Sequence, residues 1–319
     1  MLLEGLRVLD LSRLLPGAYC AQLLHRQGAQ VVKVEGPDGD PIRRLPGGEA
    51  YFAALHQGQQ LLTIDLRSSA GREALTDEVG GADVLVEGFR PGVMERLGVG
   101  YRALSAVNPR LIYCSITGYG STGRLSGRAG HDLNYLALSG ALSIMPRADG
   151  APMIPGVQVA DLAGGLEAAF LIAAALVRRA QDGRGARVEV SMAGLMWSWT
   201  AMPRVARRAG LAGLGLTGQM PCYRVYPVAD GFLTVAALET DFWTTFCRVL
   251  GREDLVSRQY DPSAVPEVAQ MLAAGSRAQW QRRFSDRDVC VEPVLDLEES
   301  VLIDFLGASQ ADLIGGEDD

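Results

Sequence analysis

The chain has 319 residues, enough for two domains or for one large domain with a satellite, and it is 48% hydrophobic and 21% charged, as an ordinary globular protein is. Its formal charge of −7 argues against a general nucleic-acid surface but allows a local basic pocket for an anionic ligand. The five cysteines, at 20, 114, 222, 247 and 290, form no CxxC pair and no cluster with histidine, so neither a metal, a redox cofactor nor a disulfide framework is expected, and a reduced cytoplasmic protein fits best.

Glu4, Arg7 and Asp10 interrupt the N-terminus, which therefore does not read as a signal peptide. Leu6–Leu11 reads as a buried strand, Gly17–Gln27 as a helix closed by Gly28, and Gln30–Glu35 as a second strand. That βαβ unit implies a parallel sheet with helices packed on it, a Rossmann-like α/β domain. The first turn, Ser12-Arg13-Leu14-Leu15-Pro16-Gly17, lacks the GxGxxG signature of dinucleotide binding. Further strands are predicted at Ala82–Glu87, Leu111–Ile116 and Val188–Val190, with helices at about 68–80 and 91–106 between them. The longest apolar run, Ala168–Val177, is about ten residues against the roughly 20 that span a bilayer, so no membrane partner is expected.

This large domain is expected to occupy 1–190. Trp197, Trp199 and Met202 among small residues, then the glycine-rich Gly210–Gly218, predict a helical linker over 191–220. Tyr223–Val228 and Phe232–Ala237 bracket Ala229-Asp230-Gly231, an Asp-Gly turn between two strands. Helices at about 240–250, 264–274 and 276–284 and a strand near Glu292–Leu295 complete a smaller α+β domain over 221–305, followed by a polar tail at 306–319.

Two helix starts carry candidate chemistry. Of the three histidines, at 25, 56 and 131, only His131 opens a helix beside an acid, in Gly130-His131-Asp132-Leu133-Asn134-Tyr135. It reads either as a structural histidine or as a base whose neutral form the helix dipole favours, next to first-turn amides free to face an oxyanion. Asp161 sits at the expected N-cap of a helix running to Arg179 and closing at Gly183. The bland reading is a capping aspartate. Gly164 and Gly165, each costing roughly 1 kcal/mol in a helix, add the reading that backbone or ligand approaches closely there. Glu239, where a strand hands over to a helix, reads alone as an exposed carboxylate. Arg90 and Arg96 follow a strand in Glu87-Gly88-Phe89-Arg90-Pro91-Gly92 and suit a phosphate or a solvated loop.

The stretches Leu3–Leu11, Pro16-Gly17, Val31–Glu35, Thr63–Leu66, Glu87–Gly92, Thr117–Gly120, Gly130–Gly140, Asp161 with its glycines and Tyr223–Trp243 together resemble the family III CoA-transferase superfamily, and within it the α-methylacyl-CoA racemases. The resemblance implies an acyl-CoA substrate and an interlocked homodimer. In its transferases an aspartate at the Asp161 position is acylated. In its racemases that aspartate works with a histidine, here His131, supported by a small-domain glutamate, here Glu239 of the partner chain. Transferases typically carry an aromatic residue in place of the histidine, and many have a run of consecutive glycines over the site, whereas the glycines between 210 and 235 are spaced apart. CoA contacts are implied at Leu55, Gly88, Phe89, Arg90, Arg96, Gly130, Asp132 and Tyr135. Relatives usually have an arginine after the Val-Lys-Val-Glu strand and a basic segment before Thr63. Here Gly36 and His56-Gln57-Gly58-Gln59-Gln60 stand there, which shifts phosphate recognition onto Arg90, Arg96 and Arg43 or Arg44. The tail that in relatives returns to the large domain is largely missing after Leu306. The expected reaction is inversion of the α-carbon of a 2-methylacyl-CoA by proton transfer; the alternatives are CoA transfer through acyl-Asp161, or binding of acyl-CoA with little turnover.

Overall fold

A computed structural model describes residues 1–210 and 216–301. Part of the glycine-rich stretch, 211–215, and the tail at 306–319 lie outside them. The described chain divides into two units, Met1–Thr200 and a second beginning at Ala201.

In the first unit the strands are β1 (Arg7–Asp10), β2 (Gln30–Glu35), β3 (Gln60–Thr63), β4 (Val84–Glu87), β5 (Ile112–Thr117), a two-residue hairpin β6 (Arg147–Ala148) and β7 (Ala151–Pro152), and β8 (Ala186–Ser191). The helices are α1 (Leu15–Arg26), α2 (Gly48–Leu55), α3 (Ser69–Gly80), α4 (Val93–Arg96), α5 (Tyr101–Val107), α6 (Asp132–Ser139), α7 (Val159–Asp182) and α8 (Met192–Trp199). Six strands form one parallel sheet in the order β3-β2-β1-β4-β5-β8. Alternation along the strands sends Val8, Val31, Val84, Ile112 and Cys114 to one face, against Cys20 and Leu24 of α1 and Ile172 of α7. It sends Leu9, Val32, Leu85 and Tyr113 to the other, against Leu75 of α3 and Leu104 of α5. Both faces are covered, so the sheet is doubly wound, as the βαβ pattern predicts. The strand order reverses between β1 and β4. There the loops after the two strands diverge and leave a crevice at the sheet's carboxyl edge.

Three expectations need correction. The single helix predicted over 91–106 is two, because Gly98 takes a left-handed φ of 78° and ends the first turn. Asp161 is not an N-cap: α7 begins at Val159, with Gln158 before it, and Asp161 is its third residue. The count of uninterrupted apolar residues also underrated α7, whose 24 residues are long and apolar enough, by length and composition, to cross a bilayer. In the fold α7 lies on α1 along a stripe of small residues. A Cβ on Gly165 would lie 2.4 Å from the Pro16 carbonyl oxygen, and one on Gly164 would lie 2.7 Å from Met192 Cγ. It is backbone of α1 and the side chain of Met192 that these glycines admit.

The second unit starts with α9 (Ala201–Arg208) and continues through the antiparallel strands β9 (Tyr223–Val228), β10 (Gly231–Ala236) and β11 (Val291–Pro293), ordered β11-β10-β9. Its remaining helices are α10 (Thr240–Leu250), α11 (Val265–Ala273), α12 (Arg277–Phe284) and α13 (Leu297–Val301). Val228 pairs with Gly231 across the two-residue turn at Ala229-Asp230. Trp243 and Phe246 of α10 and Trp280 and Phe284 of α12 stack in the core, with adjacent centroids 5.2 to 5.9 Å apart.

Candidate active site

The first wall is the loop after β1. Lys33 of β2, the chain's single lysine, is fully buried between two buried carboxylates, with Nζ 3.5 Å from Asp10 and 3.2 Å from Asp40. It also donates to the Ser12 carbonyl. Asp10 Oδ1 accepts from the Ser12 amide, and Asp40 Oδ1 accepts from the amides of Leu14 and Ile42. So held, Leu14 takes φ 63° and ψ −151°, a region that L side chains seldom enter and that costs about 1–3 kcal/mol. A buried charge cluster thus fixes a strained loop at the sheet's carboxyl edge.

The second wall is the loop after β4. Glu87 is buried, its carboxyl pushed up by that burial, and it accepts from the Phe89 amide, which turns the chain through Gly88 to Arg90.

The third wall is the start of α6 and α7. His131 is the N-cap of α6, and Asn134 Oδ1 accepts from its amide at 3.0 Å. Asp132, the first residue of α6, turns its carboxylate onto the next helix: Oδ1 accepts from the amides of Ala160 at 2.6 Å and Asp161 at 3.1 Å. This borrowed cap serves the second and third amides of α7, which a capping side chain at Gln158 would otherwise take, so the helix starts at Val159 with no side-chain cap of its own. The like charge of Asp132 also adds to burial, the larger cause, in raising the Asp161 carboxyl from 3.8 to about 7. Tyr135, pushed up to about 12 by burial first and Asp161 next, donates its hydroxyl to the Gly130 carbonyl. A Cβ on Gly130 would lie 2.8 Å from the Tyr119 hydroxyl and from the ring of Tyr135, so only glycine fits that bend.

These walls enclose a cleft of about 280 Å³ at the switch point, lined by His131 and Asp161 together with Gly88, Phe89, Arg90, Gly130 and Tyr135. Asp132 stands behind it as the tie between the helices. Leu55, at the end of α2, and Arg96, in α4, line neither this cleft nor the adjoining cavity of about 330 Å³ beside β2. Arg44 lines that cavity, whereas the Arg43 guanidinium is engaged by Glu35 at 3.0 Å and Glu49 at 2.6 Å and lies over the Phe52 ring. Glu239 is an exposed residue of the second unit, at the N-cap of α10. Sequence reasoning missed Arg13, which lines both cavities. The signal for it was position, the first βα loop, where ligands of open α/β sheets bind whether or not the loop is glycine-rich.

An open doubly wound sheet with a histidine and a buried carboxyl in its switch-point crevice has its cleft where α/β proteins of this architecture bind ligands. The chain belongs to CoA-transferase family III, which it matches over residues 3–309. It is 36% identical over 313 residues to α-methylacyl-CoA racemase from Homo sapiens, covering 94% of this chain and 80% of that one. It is 35% identical over 318 residues to succinyl-CoA:mesaconate CoA-transferase from Haloarcula hispanica, covering 93% and 78%. A crystal structure of a CAIB/BAIF family protein from Brucella suis superposes with a TM-score of 0.80 at 29% identity, over 93% of this chain and 85% of that one.

Proposed function

We propose that the protein is a racemase of 2-methylacyl-CoA thioesters that moves the α-proton off one face of the carbon and returns it to the other. The observation that carries this reading is the pairing of His131 and Asp161 in one cleft, from two helix starts tied together by Asp132. Inversion needs a base on one side of the carbon and an acid on the other, exchanging roles when the reaction reverses. A carboxyl held at about 7 is populated in both forms near neutrality and can serve in either role. The enolate between the two steps carries its charge on the thioester oxygen.

The transferase reading, with Asp161 acylated, draws support from the nearly equal identity to the Haloarcula relative. Against it, a carboxyl that is half protonated near neutrality is a weakened nucleophile. In the racemase reading the protein works as a homodimer, with Glu239 of one chain orienting His131 of the other.

Incubation with a 2-methylacyl-CoA in D₂O tests the assignment. Deuterium should enter the α-carbon with no acceptor acid present. His131→Ala and Asp161→Asn should each lower inversion by about a thousandfold, the scale of a lost general acid or base, while one retains exchange on the face its surviving partner serves. Transfer of CoA to a free carboxylate without exchange, with a hydroxamate formed at Asp161 by hydroxylamine, would overturn it. Binding with neither reaction would make the protein an acyl-CoA carrier.

A further inference from the structure

The cleft of His131 and Asp161 and the adjoining cavity beside β2 share three lining residues, Ser12, Arg13 and Phe89. Most cations of the adjoining cavity are already engaged. Lys33 pairs with Asp10 and Asp40, Arg67 pairs with Asp65 and Asp38, and Arg44 donates to the Asp38 carbonyl. Arg13 differs from them. It is exposed, and among the described residues no acid pairs with it. Its guanidinium lies over the Phe89 ring, 4.8 Å from the centroid.

The backbone on both sides of Arg13 is fixed from beneath. The Ser12 carbonyl accepts from Lys33, the Ser12 amide donates to Asp10, and the Leu14 amide donates to Asp40. The Ser12 hydroxyl beside it is buried and has no hydrogen-bond partner. An arginine stacked on an aromatic ring keeps its fork of N–H donors free for two parallel bonds to a phosphate. Because ring and loop already hold it, little side-chain freedom remains to be lost when an anion arrives.

We propose that Arg13, supported by Phe89, binds the diphosphate of CoA at the junction of the two cavities. In CoA the diphosphate joins the adenosine to the pantetheine arm, and Arg13 joins the outer cavity to the cleft where the thioester reacts. The assignment therefore favours the diphosphate over the 3′-phosphate. It rests on the acyl-CoA reading above, but not on whether the reaction is racemisation or transfer.

Calorimetric titration with CoA and 3′-dephospho-CoA, together with NMR titration with pantetheine, tests it on the wild type, Arg13→Ala and Arg13→Lys. Arg13→Ala should raise Kd for CoA and for 3′-dephospho-CoA by the same factor, about tenfold, as expected for a lost hydrogen-bonded charge. Arg13→Lys should lose less, and pantetheine should bind all three proteins alike. Equal CoA affinity in wild type and Arg13→Ala would overturn the assignment alone. So would a loss confined to CoA, which would mark the 3′-phosphate instead, or an equal loss with pantetheine, which would make Arg13 a shaper of the cleft. A wild type that binds no CoA would overturn the acyl-CoA reading and this assignment with it.

Discussion

The carboxyl of Asp161 is held near neutrality by burial first and by the charge of Asp132 second, and both effects have a thermodynamic consequence. Its ordinary value is 3.8 and its folded value is about 7, so between those limits the folded chain holds more protons than the unfolded one. Stability attributable to this group therefore falls as pH rises through that window, and above it the buried charge is a full burden. Asp161→Asn should stabilise the protein at pH 8, by about 2–4 kcal/mol in urea unfolding, with the gain nearly gone at pH 4. A gain of the same size at both values would mean that the raised carboxyl is not its source. Arg13 and Arg43 make the complementary point about cations. Both occur in loops that suit an anion, yet Arg43 is held by Glu35 and Glu49 while Arg13, among the described residues, lies over the face of Phe89 with no acid paired to it. An arginine's sequence neighbours do not tell which of the two it will be, because its partners come from other strands and helices.

At the scale of elements, the site is a joint between two helix N-termini. Asp132 occupies one position in α6 and does the capping of α7, so the spacing of His131 from Asp161 depends on a contact 28 residues long in sequence. The carboxylate supplies two separable things, a hydrogen-bond acceptor for the Ala160 and Asp161 amides and a negative charge beside Asp161. Asp132→Asn keeps the first and removes the second. It should leave the unfolding midpoint little changed and let Asp161 ionise at lower pH. In the racemase reading, the acid limb of the kcat/KM profile should move to lower pH in the direction where Asp161 takes the proton, and the alkaline limb should in the reverse direction. Asp132→Ala loses the cap as well, and should cost about 1 kcal/mol of stability on top. A profile unmoved in Asp132→Asn would show that the charge does not reach the carboxyl.

At the scale of the whole molecule, α7 presents a large apolar surface that its own unit does not cover. Leu166, Phe170 and Val177 fall on one face and are 53%, 65% and 65% exposed, while the opposite face packs Ala168, Ile172 and Ala175 into the core. Such a stripe on a helix of this length is a place where another apolar surface binds. In the homodimer reading it is a second copy of the chain. The protein should then sediment as a dimer at micromolar concentration, and Phe170→Glu should shift it to the monomer while leaving the far-ultraviolet spectrum unchanged. A monomeric wild type that partitions onto lipid vesicles would assign the stripe to a membrane surface instead.

Periodicity and punctuation sufficed for five of the six strands of the sheet and for several helices, but not for the short edge strand Gln60–Thr63. Gln30–Glu35 and Thr240–Leu250 fall where the pattern puts them, because apolar spacing, glycine stops and turn residues act over a few neighbours. The motif around Gly130-His131-Asp132 and the lone acid before Gly164-Gly165 pointed to the site for the same local reason. What the sequence could not determine was decided by contacts distant along the chain. Asp132 caps α7 at its start, Pro16 and Met192 account for the two glycines, and Lys33 with Asp40 holds Leu14 in its strained conformation. The pKa of Asp161 and the freedom of Arg13 belong to the same class. Each depends on which groups the folded chain brings near and which water it removes, and those are properties of packing rather than of neighbouring residues.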